Sequence, residues 1–417
     1  MTNYLQRLMA PLFLLSMAIM SCNKEGTENY ASDEEPWIQH EKVEQTVKVT
    51  LPETRLTLDE TQMKRITPTN DFSFSYFRDV YDSDKDILIS PLGFQAIISM
   101  IVNQSKDNEA LFERIGFKGE DLAVINDYFR CLIGDLNGER CGKELKFANA
   151  LISDVGAKKY TETYIKDLSK YYLADYLEIE AKPLSAQPIG SRPEDLWVLK
   201  NTGGMMESAP FPIEPGESTM INAICFKGEW TDKFDKELTR QGSFYVNQER
   251  SINMPMMNKR DKISYFKNND LSAVSLPFGD GTYNLTVILP VTTFDIPGIL
   301  EKINSKEWDK IRTGFETKDV ALMLPVFSMS CPNMMQLEHY DTNSEIVVKI
   351  IAQKVSFMMD EEGAAAAAVT QSKDPISPSP SSEPKYEVFS ANVPFLYTIS
   401  ESGSGLILFI GVFSGGS

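Results

Sequence analysis

The segment 361–384 constrains this chain more than any other. It opens Glu361-Glu362-Gly363 and runs through five alanines, Ala364 to Ala368, then Val369 and Thr370. Beyond Lys373 it carries Pro375, Pro378, Pro380 and Pro384 among serines. Such a composition usually marks a linker between domains. Here only residues 385–417 follow, and they hold two strongly apolar runs that fit strands, 393–400 and 405–413. A piece that short cannot bury a core of its own. Its strands must complete a core begun earlier, so 361–384 is a long exposed loop inside one domain. Loops beyond about 15 residues are uncommon in compact domains and are often functional.

The alanine run has two readings. Alanine has the best helix propensity, and Glu361 and Glu362 would suit the positive end of a helix. The other reading is a strand made to slide between two existing strands. On alternate positions Ala364, Ala366, Ala368, Thr370 and Ser372 are all small and uncharged, while Lys373 falls on the other parity. Insertion of such a strand is sterically cheap.

Composition narrows the function classes. The 417 residues are 42% apolar and carry a formal charge of −18. The chain is therefore mostly folded, and it lacks the positive charge that a general nucleic-acid binder needs. There are two histidines, His40 and His339, which argues against a His-built metal site or a Ser-His-Asp triad. No cofactor or metal is implied. Besides Cys22 there are Cys131, Cys141, Cys225 and Cys331, none in a C-x-x-C spacing. Cys131 and Cys141 could pair in an exported protein, but most are expected to be small buried residues.

Residues 1–21 read as a targeting segment. Arg7 precedes an apolar stretch from Leu8 to Met20, too short to span a membrane and followed by Ser21-Cys22. The Ile19-Met20-Ser21-Cys22 ending is similar to a bacterial lipobox, with Met20 a poor match to the small residue usual there. Cys22 would then be lipidated and anchor the protein to the outer membrane, with plain secretion as the alternative. Residues 22–65 are expected to be a polar tether, with a short strand between Val43 and Leu51, and residues 66–417 the folded domain. Helices are expected over 71–81, from Ser90-Pro91 onward, and over 120–136 and 160–174. Strands follow over 218–227, 243–247, 272–277, 283–290 and 320–328. Helices first and strands later indicate an α+β fold rather than alternating βαβ units.

A series of motifs, in order, then points to a family. It runs Asn70-Asp71-Phe72-Ser73-Phe74, Ile89-Ser90-Pro91-Leu92, Phe147-Ala148-Asn149-Ala150 and Asn222-Ala223-Ile224-Cys225-Phe226-Lys227-Gly228-Glu229-Trp230. Phe234, Thr239 and Phe244 follow, then Met254-Pro255-Met256-Met257, Leu276-Pro277-Phe278, Val287-Ile288-Leu289-Pro290 and Leu324-Pro325-Val326-Phe327. Asp360-Glu361-Glu362-Gly363 with the alanines, Asn392-Val393-Pro394-Phe395 and Leu408-Phe409-Ile410-Gly411 close it. From about Thr69 to Phe413 the chain resembles a serpin, a member of the family of serine- and cysteine-protease inhibitors.

The resemblance implies three β-sheets, about eight or nine helices, and 361–384 as a reactive loop offered to a protease as bait. Attack on the bait carbonyl forms an acyl-enzyme. The freed hinge arm inserts into the central sheet, carries the tethered protease away and distorts its oxyanion hole and triad. About 15 residues of strand span roughly 50 Å. Glu361, Gly363, Ala364, Ala366, Ala368 and Thr370 match the hinge. Ser90, Asn222, Trp230 and Gln353 match positions that govern opening of the sheet. The partner would be a target protease in covalent complex, and the protein a monomer.

Four departures matter, one being a loop longer than the usual pattern of the family. Ala364 stands where Thr or Ser is usual. Gln353 stands at a histidine position and cannot titrate. The segment after Ala181 matches poorly until Asp195-Leu196-Trp197-Val198. For the bait bond the resemblance leads to Ile376–Ser377, because Pro378 would block cleavage after Ser377. An apolar-pocket protease, elastase- or subtilisin-like, or a papain-like cysteine protease would be the target. Lys373–Asp374, and Pro380–Ser381 to Ser382–Glu383, are the alternatives. A non-inhibitory binding or scaffold member of the family is the competing function; an enzyme is disfavoured, since no acid–base or metal constellation stands out.

Overall fold

The helix Pro91–Val102 lies at the centre of the molecule. Ser90 caps it, its Oγ accepting from the Gly93 N–H at 3.4 Å, and Pro91 begins it with no N–H left to satisfy. Every residue of this helix is buried. Phe94, Ile97, Ile98 and Ile101 form one apolar stripe, and Leu92, Ala96, Met100 and Val102 are buried on its other sides, the pattern of a helix enclosed by other elements. Around it pack Ile66–Val80, Leu122–Leu136, capped by Asp121, and Glu162–Tyr172, capped by Thr161. The last two fall within the expected spans 120–136 and 160–174; the first begins several residues before the expected Asp71.

The computed structural model describes residues 47–416 except 84, 105–108, 143, 184–187, 341–345 and 364–385, with backbone only over 330–352. One sheet has the strand order Phe327–Tyr340, Ile346–Met359, Ser218–Phe226, Leu145–Asp154, Ala174–Ile179. Its middle pair, Ile346–Met359 beside Ser218–Phe226, is parallel. The second sheet has ten strands. Two of the three sheets implied by the resemblance are joined in it, because Ser251–Lys267 is long enough to pair with three strands. It meets Arg240–Tyr245 at its start, Leu271–Phe278 at its end and Glu316–Pro325 along most of its length. Asn258 to Lys262 make this strand too polar to stand out in sequence. Cross-strand pairing, not alternation, determines it.

Phe395–Glu401 and Ile407–Phe413 are buried at every position. They pair with each other, with Tyr283–Pro290 and with Ile87–Ile89, near the front of the described chain. The short piece after the loop thus completes a core begun by residues more than three hundred positions earlier, and the described residues form one compact unit.

The expected tether 22–65 is corrected in its second half: 47–65 is packed against the body. Only Val47–Lys48 is strand, paired with Glu316–Thr317, and Val43 lies outside the described residues. Leu56 and Leu58 are buried, and Asp59 and Gln62 form a capping box at Glu60–Met63. The Glu401 carboxylate joins this strap to the turn after Phe395–Glu401. It accepts from the Arg55 N–H at 2.9 Å and Thr54 Oγ1 at 3.0 Å, and from the Ser404 N–H at 2.6 Å. A Cβ at Gly403 would lie 2.3 Å from the Thr54 nitrogen, so the crossing needs glycine there. Cys131, Cys141 and Cys225 are free thiols, and burial pushes those of Cys141 and Cys225 up to about 12, the state of inert packing residues.

Glu401→Ala removes the acceptor shared by the half-buried Thr54 and Ser404 and by the Arg55 N–H. We expect a loss of about 2–3 kcal/mol in urea unfolding and new protease cleavage within 47–58. An unchanged cleavage pattern would show that the strap is held by its apolar residues alone.

Candidate functional site

The middle of the five-stranded sheet is sewn together by amides. In strand register Gln353 faces Asn222, and Asn222 faces Asn149. All three are essentially sealed from solvent. Gln353 Nε2 donates to Asn222 Oδ1 at 3.1 Å, and Asn222 Nδ2 donates to Asn149 Oδ1 at 3.0 Å. Asn149 Nδ2 continues the row to the Tyr172 carbonyl at 2.9 Å. The Gln353 amide also pairs with one peptide position of the central helix. Its Oε1 accepts from the Ser90 N–H at 2.9 Å, and its Nε2 donates to the Ser90 carbonyl at 2.7 Å.

This row spans the two parallel strands that would have to part to admit a new strand. Buried polar groups are costly when unpaired, so parting these strands without a substitute partner carries a high penalty. Gly93 makes the approach of helix to sheet feasible. A Cβ there would sit 2.1 Å from Asn222 Oδ1 and 2.3 Å from Gln353 Nε2. Since glutamine carries no ionising group, protonation cannot open this contact between pH 5 and 8.

The second half of the site is the turn at the top of Ile346–Met359. Asp360 and Gly363 exchange backbone hydrogen bonds, Asp360 N–H to the Gly363 carbonyl at 2.9 Å and the reverse at 3.3 Å. Asp360 Oδ1 accepts from the Glu362 N–H at 2.9 Å. Gly363 has φ +137°, and a Cβ would lie 2.3 Å from the Gly228 carbonyl oxygen, so glycine is required twice over. The residue forms antiparallel bridges to Asp360 on one side and Glu229 on the other.

One segment, 229–239, holds this turn. Trp230 Nε1 donates to the Asp360 carbonyl at 2.8 Å, the Trp230 N–H to the Glu362 carbonyl at 2.9 Å, and the Phe234 N–H to the Glu361 carbonyl at 3.0 Å. Trp230 is itself fixed by stacking on Phe278, with centroids 4.5 Å apart. Thr239 Oγ1 donates to Glu361 Oε1 at 2.6 Å. Glu362 is 5% exposed, and Lys233 and Lys236 reach its two oxygens at 2.9 and 3.0 Å. Hydrogen bonds from these two lysines hold its carboxyl below the ordinary value of 4.5.

The structure therefore divides the sequence-derived residues into two groups. Ser90, Asn222 and Gln353 meet in the amide row; Trp230, Glu361 and Gly363 meet at the turn. Ala364, Ala366, Ala368 and Thr370, the bond positions Lys373, Asp374, Ile376, Ser377, Ser381 and Ser382, and Cys22 lie outside the described residues. Sequence reasoning passed over Gly93, Asn149 and Glu362 as functional positions. Gly93 had a signal, a glycine in the first turn of an apolar helix. Asn149 and Glu362 had none, because their partners lie far along the chain. Among the described residues no group of acids, histidines and cysteines could hold a metal ion.

The chain belongs to the serpin family: residues 67–415 match the model described as "Serpin (serine protease inhibitor)". It is 28% identical to antichymotrypsin-2 of Bombyx mori over 336 residues, covering 75% of this chain and 87% of that protein. Its fold is similar to tengpin, a thermophilic serpin solved in the native state, with TM-score 0.75 and 20% identity over 88% of this chain and 97% of that one. Human thyroxine-binding globulin, solved in complex with thyroxine, has a similar fold at TM-score 0.74 and 20% identity, covering 86% of this chain and 100% of that one.

Gly93→Ala forces a methyl group into the amide row and should cost about 2–3 kcal/mol, read from denaturant unfolding. Gln353→Leu should cost about 1–3 kcal/mol by leaving the Ser90 peptide group unpaired. A melting curve unchanged in both variants would show that the row does not hold the sheet closed.

Proposed function

We propose that this protein is a suicide-type protease inhibitor whose loop, 361–384, is cleaved as bait and whose hinge arm then inserts into the five-stranded sheet. The observation that carries the reading is Gly363. It is already bridged on both sides, to Asp360 and Glu229, at the tops of the two parallel strands. The two bridges imply one register. Continued downward, it sets Thr370 opposite both Gln353 and Asn222, which face each other in the closed sheet. A small polar residue would thus arrive where the amide row has to part. Relatives named as serine protease inhibitors support the same reading.

The sequence of steps follows from ordinary acyl-transfer chemistry. The protease nucleophile adds to the carbonyl of the bait residue, the peptide C–N bond breaks, and the new amino terminus leaves with the C-terminal piece. The arm, still esterified to the protease, adds to the sheet as an antiparallel strand. Movement of the protease to the far edge pulls its nucleophile away from the oxyanion hole, and water no longer completes the second half-reaction. In the register above, Ile376 would end opposite Val347, beside the first residue of Ile346–Met359. An arm ending at Lys373 stops short of that edge, and one ending at Ser382 overruns it. This supports Ile376–Ser377 as the bait bond and an apolar-pocket serine protease, or a papain-like cysteine protease, as the target.

The proposal extends to location. Residues 1–21 are a lipoprotein signal, lipidated Cys22 anchors the chain in a bacterial outer membrane, and the domain is displayed there; the residues around Cys22 are what support this. Thyroxine-binding globulin shows that the fold alone does not decide between inhibition and binding. The uncharged small residues from Ala364 to Ser372 favour inhibition.

Incubation with elastase, subtilisin, trypsin and papain should give an SDS-resistant band at the summed mass less the C-terminal peptide with one of the apolar-pocket enzymes or papain, and a released peptide beginning at Ser377. Clean cleavage by all of them, with protease activity retained, overturns the reading. Ala366→Arg should convert inhibitor to substrate. Cys22→Ala should move the protein from the membrane fraction to the soluble one; an unchanged membrane fraction overturns the lipid anchor.

A further inference from the structure

The hinge carries an ion cluster whose place suggests a role in the timing of the trap. Glu362 is the residue before Gly363, and its carboxylate is nearly buried between the ammonium groups of Lys233 and Lys236. Lys233 is shared with Glu229 at 2.8 Å, and Glu229 is the residue bridged to Gly363. The cluster therefore ties the residue before the glycine to the short segment whose Glu229 is bridged to the glycine itself. None of these bonds involves the arm beyond Gly363. They fix the turn from which the arm would start.

We infer that Glu362, Lys233 and Lys236 form a positioning clamp that preassembles the first turn of the inserting hairpin. This rests on the inhibitor reading. After cleavage, insertion competes with hydrolysis of the acyl-enzyme, so any delay in starting the new strand releases active protease. Forming a turn from a free chain means closing it against its conformational entropy before any ladder bond repays the cost. A turn already closed, with Gly363 bridged on both sides, removes that step. The clamp acts as preorganisation and lowers the barrier to insertion without touching the scissile bond.

The charges around Glu362 define its pH response. It faces Lys233 and Lys236 from the 229–239 segment, with Glu229 beside Lys233 and with Glu361 and Asp360 on its own turn. Its folded pKa lies below the ordinary 4.5. The clamp is therefore complete above that value and is lost as pH falls through the depressed one. Insertion should be insensitive to pH from 8 to 5, since Gln353 does not titrate, and should slow in stronger acid.

The test uses the full chain, Glu362→Gln and the double variant Lys233→Met/Lys236→Met, with two readouts. Elastase or papain, whichever the wild type traps, gives the number of inhibitor molecules consumed per protease inactivated. Thermolysin, used only to cut the loop, gives the rate at which cleaved protein gains thermal stability. We expect unchanged loop cleavage, a gain in stability slowed at least about threefold in both variants, and more inhibitor consumed per protease. Below pH 4.5 the wild type should approach Glu362→Gln, which itself stays flat. Equal rates in wild type and both variants, or faster insertion in the variants, overturn the clamp while leaving the inhibitor reading intact. A clamp-dependent gain in stability without any trapped protease supports the clamp and overturns the inhibitor reading. No gain in stability after cleavage of the wild type overturns both.

Discussion

The contact between the Gln353 side chain and the peptide group of Ser90 is the one on which the rest of the architecture depends. It joins the buried central helix to the parallel pair of strands, with both amide atoms used. Asn222 and Asn149 extend it across the sheet, and Gly93 provides the clearance. A polar seam in an otherwise apolar interior is stable only while every member is paired. That property makes the sheet firm when closed and gives a definite penalty for opening, which a new strand bearing a hydroxyl at the right position would offset.

The hinge is built on the opposite logic. Its bonds lie at the rim, many of them charged, and converge on a four-residue turn whose end is already paired on both sides. The seam resists separation of the strands, while the turn is set in the geometry that separation would extend. The proposed inhibition needs a closed sheet beside a turn that is already bridged on both sides. The two regions are connected through Ile346–Met359, which carries Gln353 in its middle and the turn at its end. The strap over 47–65 and the Glu401 carboxylate brace the other sheet at the hairpin after the loop. Nothing in that brace has to move for the loop to act.

Local chemistry was readable from the chain. Ser90-Pro91 announced a helix start, Phe94 to Val102 a buried helix, and the C-terminal apolar runs a pair of core strands. Each depends on neighbours a few positions apart, where propensity and capping operate. That the C-terminal runs share a core with the residues before the loop is shown by their pairing with Tyr283–Pro290 and Ile87–Ile89. The order of motifs then identified the family, and with it Ser90, Asn222, Trp230 and Gln353 as positions of interest. The packing of the strap is not legible in sequence because its apolar residues are few and Pro52 to Arg55 interrupt the alternation between Leu51 and Leu56.

What the sequence by itself determined is the family and the local chemistry: a helix start at Ser90-Pro91, a run of small residues after Gly363, and apolar strands on both sides of that run. Tertiary structure alone decided the partners. That Gln353 meets Ser90, that Glu362 lies between Lys233 and Lys236, and that Gly93 must be glycine are facts about residues more than a hundred positions apart. Hydrogen bonds and ion pairs act over a few ångströms, so their chemistry is written in single residues but their existence is set only when the folded backbone brings those residues together.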